Sequence, residues 1–171
     1  MRKTNICAWT EDWGKLYSQE EGVLKEVFGD ELVDIFHIGS TSIPTIGYAK
    51  PIIDILIVVN DIEKVDLYNG DLLAVGYEAK GEFGIAGRRY FPKGGDNRTH
   101  HVHIFQVGSE HIQAHLDFKE YLIRHPMDAK RYGELKINLA KQFPNEHHKY
   151  QEGKQSFIHE LVGKVQEWGK G

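Results

Sequence analysis

Apolar residues recur every three or four positions at the start of the chain, in its middle and through its last third. This spacing predicts amphipathic helices, because it brings the apolar side chains to one face. Thr10 can cap the first helix and Gly29 can end it, while Pro126 and Pro144 separate the later ones. The helices predicted in this way cover residues 10–28, 61–75, 110–124 and 126–143, with a last one after Pro144.

Shorter apolar runs between these helices have the composition of β-strands. A loop rich in Gly, Ser, Thr and Pro joins the first two runs, and a turn at residues 92–97 lies between the last two, which predicts a hairpin. Strands and helices in a chain of 171 residues predict one α+β domain over residues 1–171, with a helical C-terminal third. The predicted strands cover residues 32–38, 52–59, 77–80, 86–91 and 99–107.

Composition argues against several classes of partner. The formal net charge is −4 and the sequence pI is about 6.2, so the chain lacks the basic footprint of a nucleic-acid-binding protein. No apolar run approaches a membrane span in length, and no signal-peptide core stands at the N-terminus. Cys7 is the single cysteine and has no internal disulfide partner, which favours a reducing compartment. We therefore expect a cytoplasmic protein that binds neither a membrane nor nucleic acid.

The turn Gly39-Ser40-Thr41 and the nearby Lys50 offer a surface for phosphate oxygens. Gly39 permits close approach of the backbone, and the hydroxyl and amide groups that follow it can converge on an anion. Lys50 stands just before the second strand, where its ammonium group can meet a phosphate held at the turn. The alternative is an ordinary surface loop followed by a solvated lysine.

Asp54 is a single carboxylate in the apolar run 52–59, and burying it is unfavourable unless it binds something. In the later strand 99–107, a period of two places His101 and His103 on one face, roughly 7 Å apart. One carboxylate and two imidazoles can hold a divalent ion, and imidazole favours a transition ion over Mg²⁺. The alternatives are a structural Asp that satisfies backbone amides or an arginine, and two edge-strand histidines without a ligand.

Other charged residues could reach the same cleft. Arg88 and Arg89, on the strand before the histidines, could bind a phosphate bidentately. Lysines of the late helices could also reach it, although most helix lysines are only solvated. Acidic residues of the first C-terminal helix could flank the site if that helix covers it. These helix candidates are Lys136, Lys154, Asp117 and Glu120.

The chain resembles the GrpB-like family of small bacterial proteins, which belongs to the nucleotidyltransferase-fold superfamily. The resemblance rests on HIGSTS at 37–42, AKPIIDI at 49–55, THHVHIF at 99–105 and FKEYLIRHP at 118–126. It implies a nucleotidyltransferase-like mixed β-sheet with flanking helices, and it favours Glu120 over Asp117. In active members of the superfamily, the Gly-Ser turn precedes a strand that carries two carboxylates with one residue between them. Asp54 matches the second, and Ile52 stands in place of the first.

The resemblance also implies a ligand and a cofactor. The expected ligand is a nucleotide or another phosphate-containing small molecule, and the expected cofactor is a divalent ion, Mn²⁺, Zn²⁺ or Mg²⁺. A third acidic residue commonly lies on the adjacent strand in the superfamily, and His101 or His103 occupies that place here. The expected catalytic residues are Asp54 and His103; the expected metal ligands are Asp54, His101 and His103; the expected phosphate-binding residues are Gly39, Ser40, Thr41, Lys50 and Arg89.

Two functions follow from this reading of the sequence. The first is an enzyme that transfers a nucleotidyl or phosphoryl group with the help of a divalent metal. The second is a binding module that holds a nucleotide or related cofactor without turning it over. The loss of the first carboxylate at Ile52 favours the second, whereas the histidine pair favours the first.

Overall fold

A four-stranded sheet lies at the centre of the structure, a computed structural model that describes residues 5–170. Its strands are β2 (Leu32–Ile38), β4 (Ile53–Val59), β5 (Arg88–Lys93) and β6 (His100–Gln106), and two short strands, β1 (Cys7–Ala8) and β3 (Tyr48–Ala49), pair separately. The order across the sheet is β2-β4-β6-β5. Because β4 and β6 run parallel while the outer strands are antiparallel to them, the sheet is mixed, as predicted.

The central strand β4 is buried on both faces. Ile53, Ile55 and Ile57 point into the main apolar core, where they pack with residues of the N-terminal helix. Leu56 points to the other face and packs with Phe105 in a smaller cluster. This division follows from the alternation of side chains along a strand, and Asp54 shares the face of Leu56. The carboxylate is therefore turned away from the main core.

Five α-helices surround the sheet in the described part of the chain. The side chain of Ser109 accepts a hydrogen bond from the backbone of His111, which caps the first C-terminal helix as predicted. Pro126 stands in the first turn of the next helix, where its missing N–H leaves no bond unmade. The helices are α1 (Asp12–Phe28), α2 (Asn69–Ala74), α3 (Glu110–Arg124), α4 (Pro126–Gln142) and α5 (His147–Gly169).

Two predicted elements differ in the structure. Residues 61–75 do not form one helix: a 3₁₀ segment at Ile62–Tyr68 precedes the short α2, and Gly70, a weak helix former, lies in its first turn. Residues 77–80 do not form a strand. They run beside β5, but Pro92 has no N–H to return a hydrogen bond, so only an isolated bridge forms at Tyr77.

Helix α4 lies directly against the loop that joins β2 to β3. A Cβ atom added at Gly133 would stand 1.8 Å from the carbonyl oxygen of Ile46, so only glycine permits this approach. Ile43 and Ile46 of the same loop pack against α3 and α4, and the hydroxyl of Thr45 donates a hydrogen bond to the carbonyl of Leu122. The contact fixes α4 against the segment that follows the Gly-Ser turn.

We expect Gly133→Ala to destabilise the protein by about 1–3 kcal/mol or more, because the added methyl group overlaps backbone atoms that cannot yield without moving the loop. The control is Gly163→Ala on α5, where an added Cβ would meet nothing within 4 Å. That change should stabilise the helix by up to about 1 kcal/mol. Urea unfolding of both variants measures the difference, and equal stability would contradict the close packing of α4.

Candidate functional site

Strands β4 and β6 bring Asp54 beside two histidines. In the parallel ladder Asp54 lies opposite His101, and the Oδ1 atom of Asp54 is 3.4 Å from His101 Nδ1 and 3.2 Å from His103 Nε2. One potential ligand atom from each of the three residues lies within 4.8 Å of the other two. The three side chains, called the Asp54 cluster below, are therefore close enough to bind one ion together.

The carboxyl group of Asp54 is ionised in this setting. Burial by itself would raise its pKa, but hydrogen bonds from His101 and His103, together with their charges, outweigh burial and hold the pKa of Asp54 well below its usual value. The cluster thus presents a permanent carboxylate at neutral pH. Such a group binds a cation without first losing a proton.

Arg88 and Asp54 together fix the position of the proton on His103. The guanidinium Nη1 of Arg88 lies 3.3 Å from His103 Nδ1, and the same side chain is buried and donates to the carbonyls of Glu82 and Phe83. Because a guanidinium can only donate, Nδ1 must accept, and the ring proton of the neutral imidazole then sits on Nε2 facing Asp54. A metal at Nε2 would need that nitrogen's lone pair. The donor set therefore fits a transition ion by type and spacing, while the Arg88 hydrogen bond opposes it.

The Gly-Ser turn lies directly over the cluster. Gly39 has φ of 72°, and a Cβ atom there would stand 2.6 Å from Asp54 Oδ2. Residues Ser40–Ser42 form one 3₁₀ turn, held by hydrogen bonds from the N–H and hydroxyl of Ser42 to the carbonyl of Gly39. The hydroxyl of Thr41 pairs with His37 Nε2. The turn is thus a firm structure whose first residue must be glycine.

Three lysines converge beside this turn. Lys136 on α4 is 4% exposed and its Nζ donates to the hydroxyl of Ser40. The ammonium groups of Lys50 and Lys154 lie 4.8 Å and 5.1 Å from the centre of the Tyr150 ring, and Lys50 also approaches His147. We call Lys50, Lys136 and Lys154 the lysine group.

Burial and mutual repulsion disfavour the charged form of the lysine group. Burial lowers the pKa of Lys136 strongly; the charge of Lys154, and to a smaller extent that of Lys50, lowers it further, while Asp54 raises it. Burial likewise lowers the pKa of Lys154. Cations that are buried near one another are stabilised by an anion. The location of the lysine group therefore marks the side of Asp54 on which negative charge is favoured.

Two sequence candidates lie away from this site. Arg89 pairs with Ile104 on the opposite face of the sheet from His103, and its Nε donates to Asp66 at 2.9 Å. The predicted contact of Arg89 with phosphate is therefore corrected, because adjacent strand residues point to opposite faces. Glu120 lies at the surface of α3, where its carboxylate pairs with Arg124 at 2.6 Å.

A cavity of about 520 Å³ opens beside Asp54, between the sheet and the helices α3 and α5. Asp117 lines it, as expected if α3 covers the site. His111 and His115, to which the sequence assigned no chemistry, also line it, and the His115 ring lies 5.8 Å from that of His103. Burial lowers the pKa of His115 to about 4. Their spacing of four residues could have indicated a shared helix face, but not its direction.

The fold of this chain belongs to the nucleotidyltransferase-like class. A crystal structure of Cid1 poly(U) polymerase bound to MgATP has a TM-score of 0.51 at 13% identity, with 78% of this chain and 44% of that chain covered, which is a likeness of fold. Within this class the chain belongs to the GrpB family, since the family model described as GrpB protein matches residues 3–164.

Relatives of known sequence or structure support this assignment. The UPF0157 protein YqkA of Bacillus subtilis is 48% identical over 170 residues, covering 99% of this chain and 49% of that protein, so the chain spans about half of its length. The glutamate-rich protein GrpB of Alkalihalophilus pseudofirmus is 34% identical, with 94% of both chains covered. The crystal structure of conserved protein GrpB from Enterococcus faecalis has a TM-score of 0.92 at 39% identity, covering 98% of this chain and 100% of that one.

None of the helices within residues 5–170 combines the length and apolar character that crossing a bilayer requires.

We expect Arg88→Met to raise the affinity for Mn²⁺ about tenfold, because it removes a positive charge and the donor to His103 Nδ1, so that the ring proton can move to Nδ1 and leave Nε2 to the ion. Arg89→Met is the control, since it removes the same charge from the other face of the sheet. In the metal-free variant the proton should stay on Nε2, because the Asp54 carboxylate still accepts from it. A Mn²⁺ affinity equal to that of the wild type would contradict this role of Arg88.

Proposed function

We propose that this protein binds the polyphosphate of a nucleotide between the Gly-Ser turn and the lysine group, and transfers a nucleotidyl or phosphoryl group with a divalent metal. The convergence of three lysines and the Ser40 hydroxyl beside an ionised Asp54 carries the proposal. The Asp54 cluster can bind a cation, and the lysine group beside it can bind an anion. A phosphate with its bound metal ion carries both a negative and a positive charge, so it matches this pair of sites.

The phosphate would meet several donors. Ser40 and Lys136 are already joined by a hydrogen bond, so an entering phosphate oxygen can replace one partner and accept from both. Lys50 would approach from the loop before β4 and Lys154 from α5, and both are held near Tyr150. The close approach of Gly39 to Asp54 leaves no side chain between the anion and the cluster.

The Asp54 cluster would hold the divalent ion through one oxygen and two imidazole nitrogens. When bound, such an ion supplies Lewis-acid stabilisation of the negative charge that develops in phosphoryl transfer. Imidazole ligands favour Mn²⁺ or Zn²⁺ over Mg²⁺. His103 ligation also requires Arg88 to release Nδ1, so Arg88 belongs to the conformational change that accompanies loading.

A specific feature favours a second function, a nucleotide-binding module without turnover. Ile52, just before β4, stands where active members of the superfamily carry the first of two carboxylates. A single carboxylate with two neutral imidazoles gives less negative charge than a carboxylate pair, and so holds two metal ions less well. Both functions use the same residues for binding, and release of pyrophosphate separates them.

The metal site is tested by titrating Mn²⁺ into the wild type, Asp54→Asn and His101→Gln and following free Mn²⁺ by electron paramagnetic resonance. We expect each variant to lose at least about tenfold in affinity, because removing one of three ligands leaves an incomplete site. His148→Gln, a change at an exposed histidine of α5, serves as the control and should bind as the wild type does. Unchanged affinity in both site variants would remove the ion from this cluster.

The phosphate site is tested by calorimetry with a non-hydrolysable nucleoside triphosphate. Ser40→Ala and Lys136→Met should each weaken binding at least about tenfold, because each removes a donor at the turn. Lys130→Met is the matched control on α4, since Lys130 is largely exposed and pairs with Glu134 at the surface. A wild type that binds no triphosphate at millimolar ligand would reject the proposal. Binding without pyrophosphate release from a hydrolysable triphosphate would favour the module.

A further inference from the structure

The cavity beside the Asp54 cluster differs in character from the lysine side. Phe118, Val162 and Val165 give it an apolar wall, and its charged lining consists of the carboxylates of Asp54 and Asp117. Among the described residues, no lysine or arginine lines it. A chain of phosphates would therefore find no counter-charge there, whereas a small molecule with an apolar body would find contacts on several sides.

Helix α5 sets the distance between the two regions. Lys154 stands near its N-terminal end, and Val162 and Gln166 follow eight and twelve residues later. A rise of 1.5 Å per residue separates them by about 12–18 Å along the helix axis. Asp54 is near both regions, because it lines the cavity and also acts electrostatically on Lys154 and Lys136.

This arrangement matches the geometry of in-line displacement at phosphorus. The attacking and leaving oxygens lie on opposite sides of the phosphorus atom in such a reaction. If the leaving pyrophosphate stays with the lysine group and the phosphorus lies near Asp54, the attacking group must come from the cavity side. The cavity is thus positioned to hold the acceptor, the molecule that attacks the phosphorus.

We propose that the cavity binds the acceptor of the transfer, a small alcohol or amine with an apolar body and no phosphate of its own. This inference rests on the proposed function. The acceptor's oxygen or nitrogen forms a bond to the α-phosphorus of a nucleoside triphosphate, the bond from that phosphorus to the bridging oxygen breaks, and pyrophosphate leaves with the bonding electrons. The proton of the acceptor passes to water at the cavity mouth, where Val162 is 37% exposed.

The volume of the cavity agrees with this class of acceptor. About 520 Å³ lies within the usual range for small-molecule sites, roughly 300–1,000 Å³. His111, His115 and Gln166 supply a few polar groups among the apolar ones, which can orient a hydroxyl or amino group. A polynucleotide acceptor would carry its phosphates past Asp117, where like charges repel.

The experiment uses fluoroindole, a neutral aromatic probe, and measures its binding by fluorine NMR. The wild type should bind the probe, and Val162→Trp, which fills the cavity from α5, should weaken binding at least about tenfold. Gln155→Trp, two turns earlier on the same helix and outside the cavity lining, is the matched control and should leave binding unchanged. Ala114→Leu on α3 fills the cavity from the opposite wall and should act like Val162→Trp. Urea unfolding verifies that each variant is folded.

A non-hydrolysable nucleoside triphosphate with Mn²⁺ separates the acceptor site from the donor site. The triphosphate should bind wild type and Val162→Trp equally and should not displace the probe. Displacement by the triphosphate would assign the cavity to the donor, and displacement by a single-stranded oligouridylate would assign it to nucleic acid; either result overturns the inference. Equal probe binding by wild type and both filling variants, or none by the wild type, overturns it too. Failure of the triphosphate to bind instead rejects the proposed function, whatever the probe does.

Discussion

The sheet carries a negative charge in its most apolar strand, and the surrounding groups are arranged to stabilise that charge. Asp54 receives hydrogen bonds from His101 and His103, which hold its pKa low in spite of burial. A buried charge that loses its partners is strongly destabilising. The strand order follows the same need, because β6 must lie next to β4 for its histidines to reach the carboxylate. The stability of the sheet and the chemistry of the site therefore depend on the same contacts.

Charge is unevenly distributed around this carboxylate. Lys136 and Lys154 interact with it electrostatically on the lysine side, whereas Asp117 is the carboxylate that borders the cavity together with it. A dipolar field of this kind orients a ligand before any close contact forms, since its phosphate end and its uncharged end favour opposite regions. Arg88 adds a positive charge next to His103, and its guanidinium donates a hydrogen bond to a nitrogen of that ring. The field thus favours a bound species in which charge is separated along one axis.

The sequence predicted the parts of the site that depend on local periodicity. The alternation of a strand was enough to place His101 with His103 on one face, because this statement needs only a period of two. It could not separate Arg88 from Arg89, since one residue of register decides which face each occupies. The strand predicted at 77–80 does not form, because a proline in the neighbouring strand cannot donate the hydrogen bond that pairing requires. The position of Lys136 against Ser40 depended on helix packing over ninety-six residues of chain, which carries no local signal.

The contact between Gly133 and the carbonyl of Ile46 has a kinetic meaning. Many enzymes that enclose their substrates rotate one domain against another about a hinge. Here α4 meets the backbone of the loop directly at Gly133, and Ile43 and Ile46 pack around that contact, so the interface does not deform continuously. A ligand must then enter and leave by side-chain rotation at openings that already exist. Turnover in such a molecule would be paced by exchange through those openings, and a bound ligand would be seen in crystals without any rearrangement of the backbone.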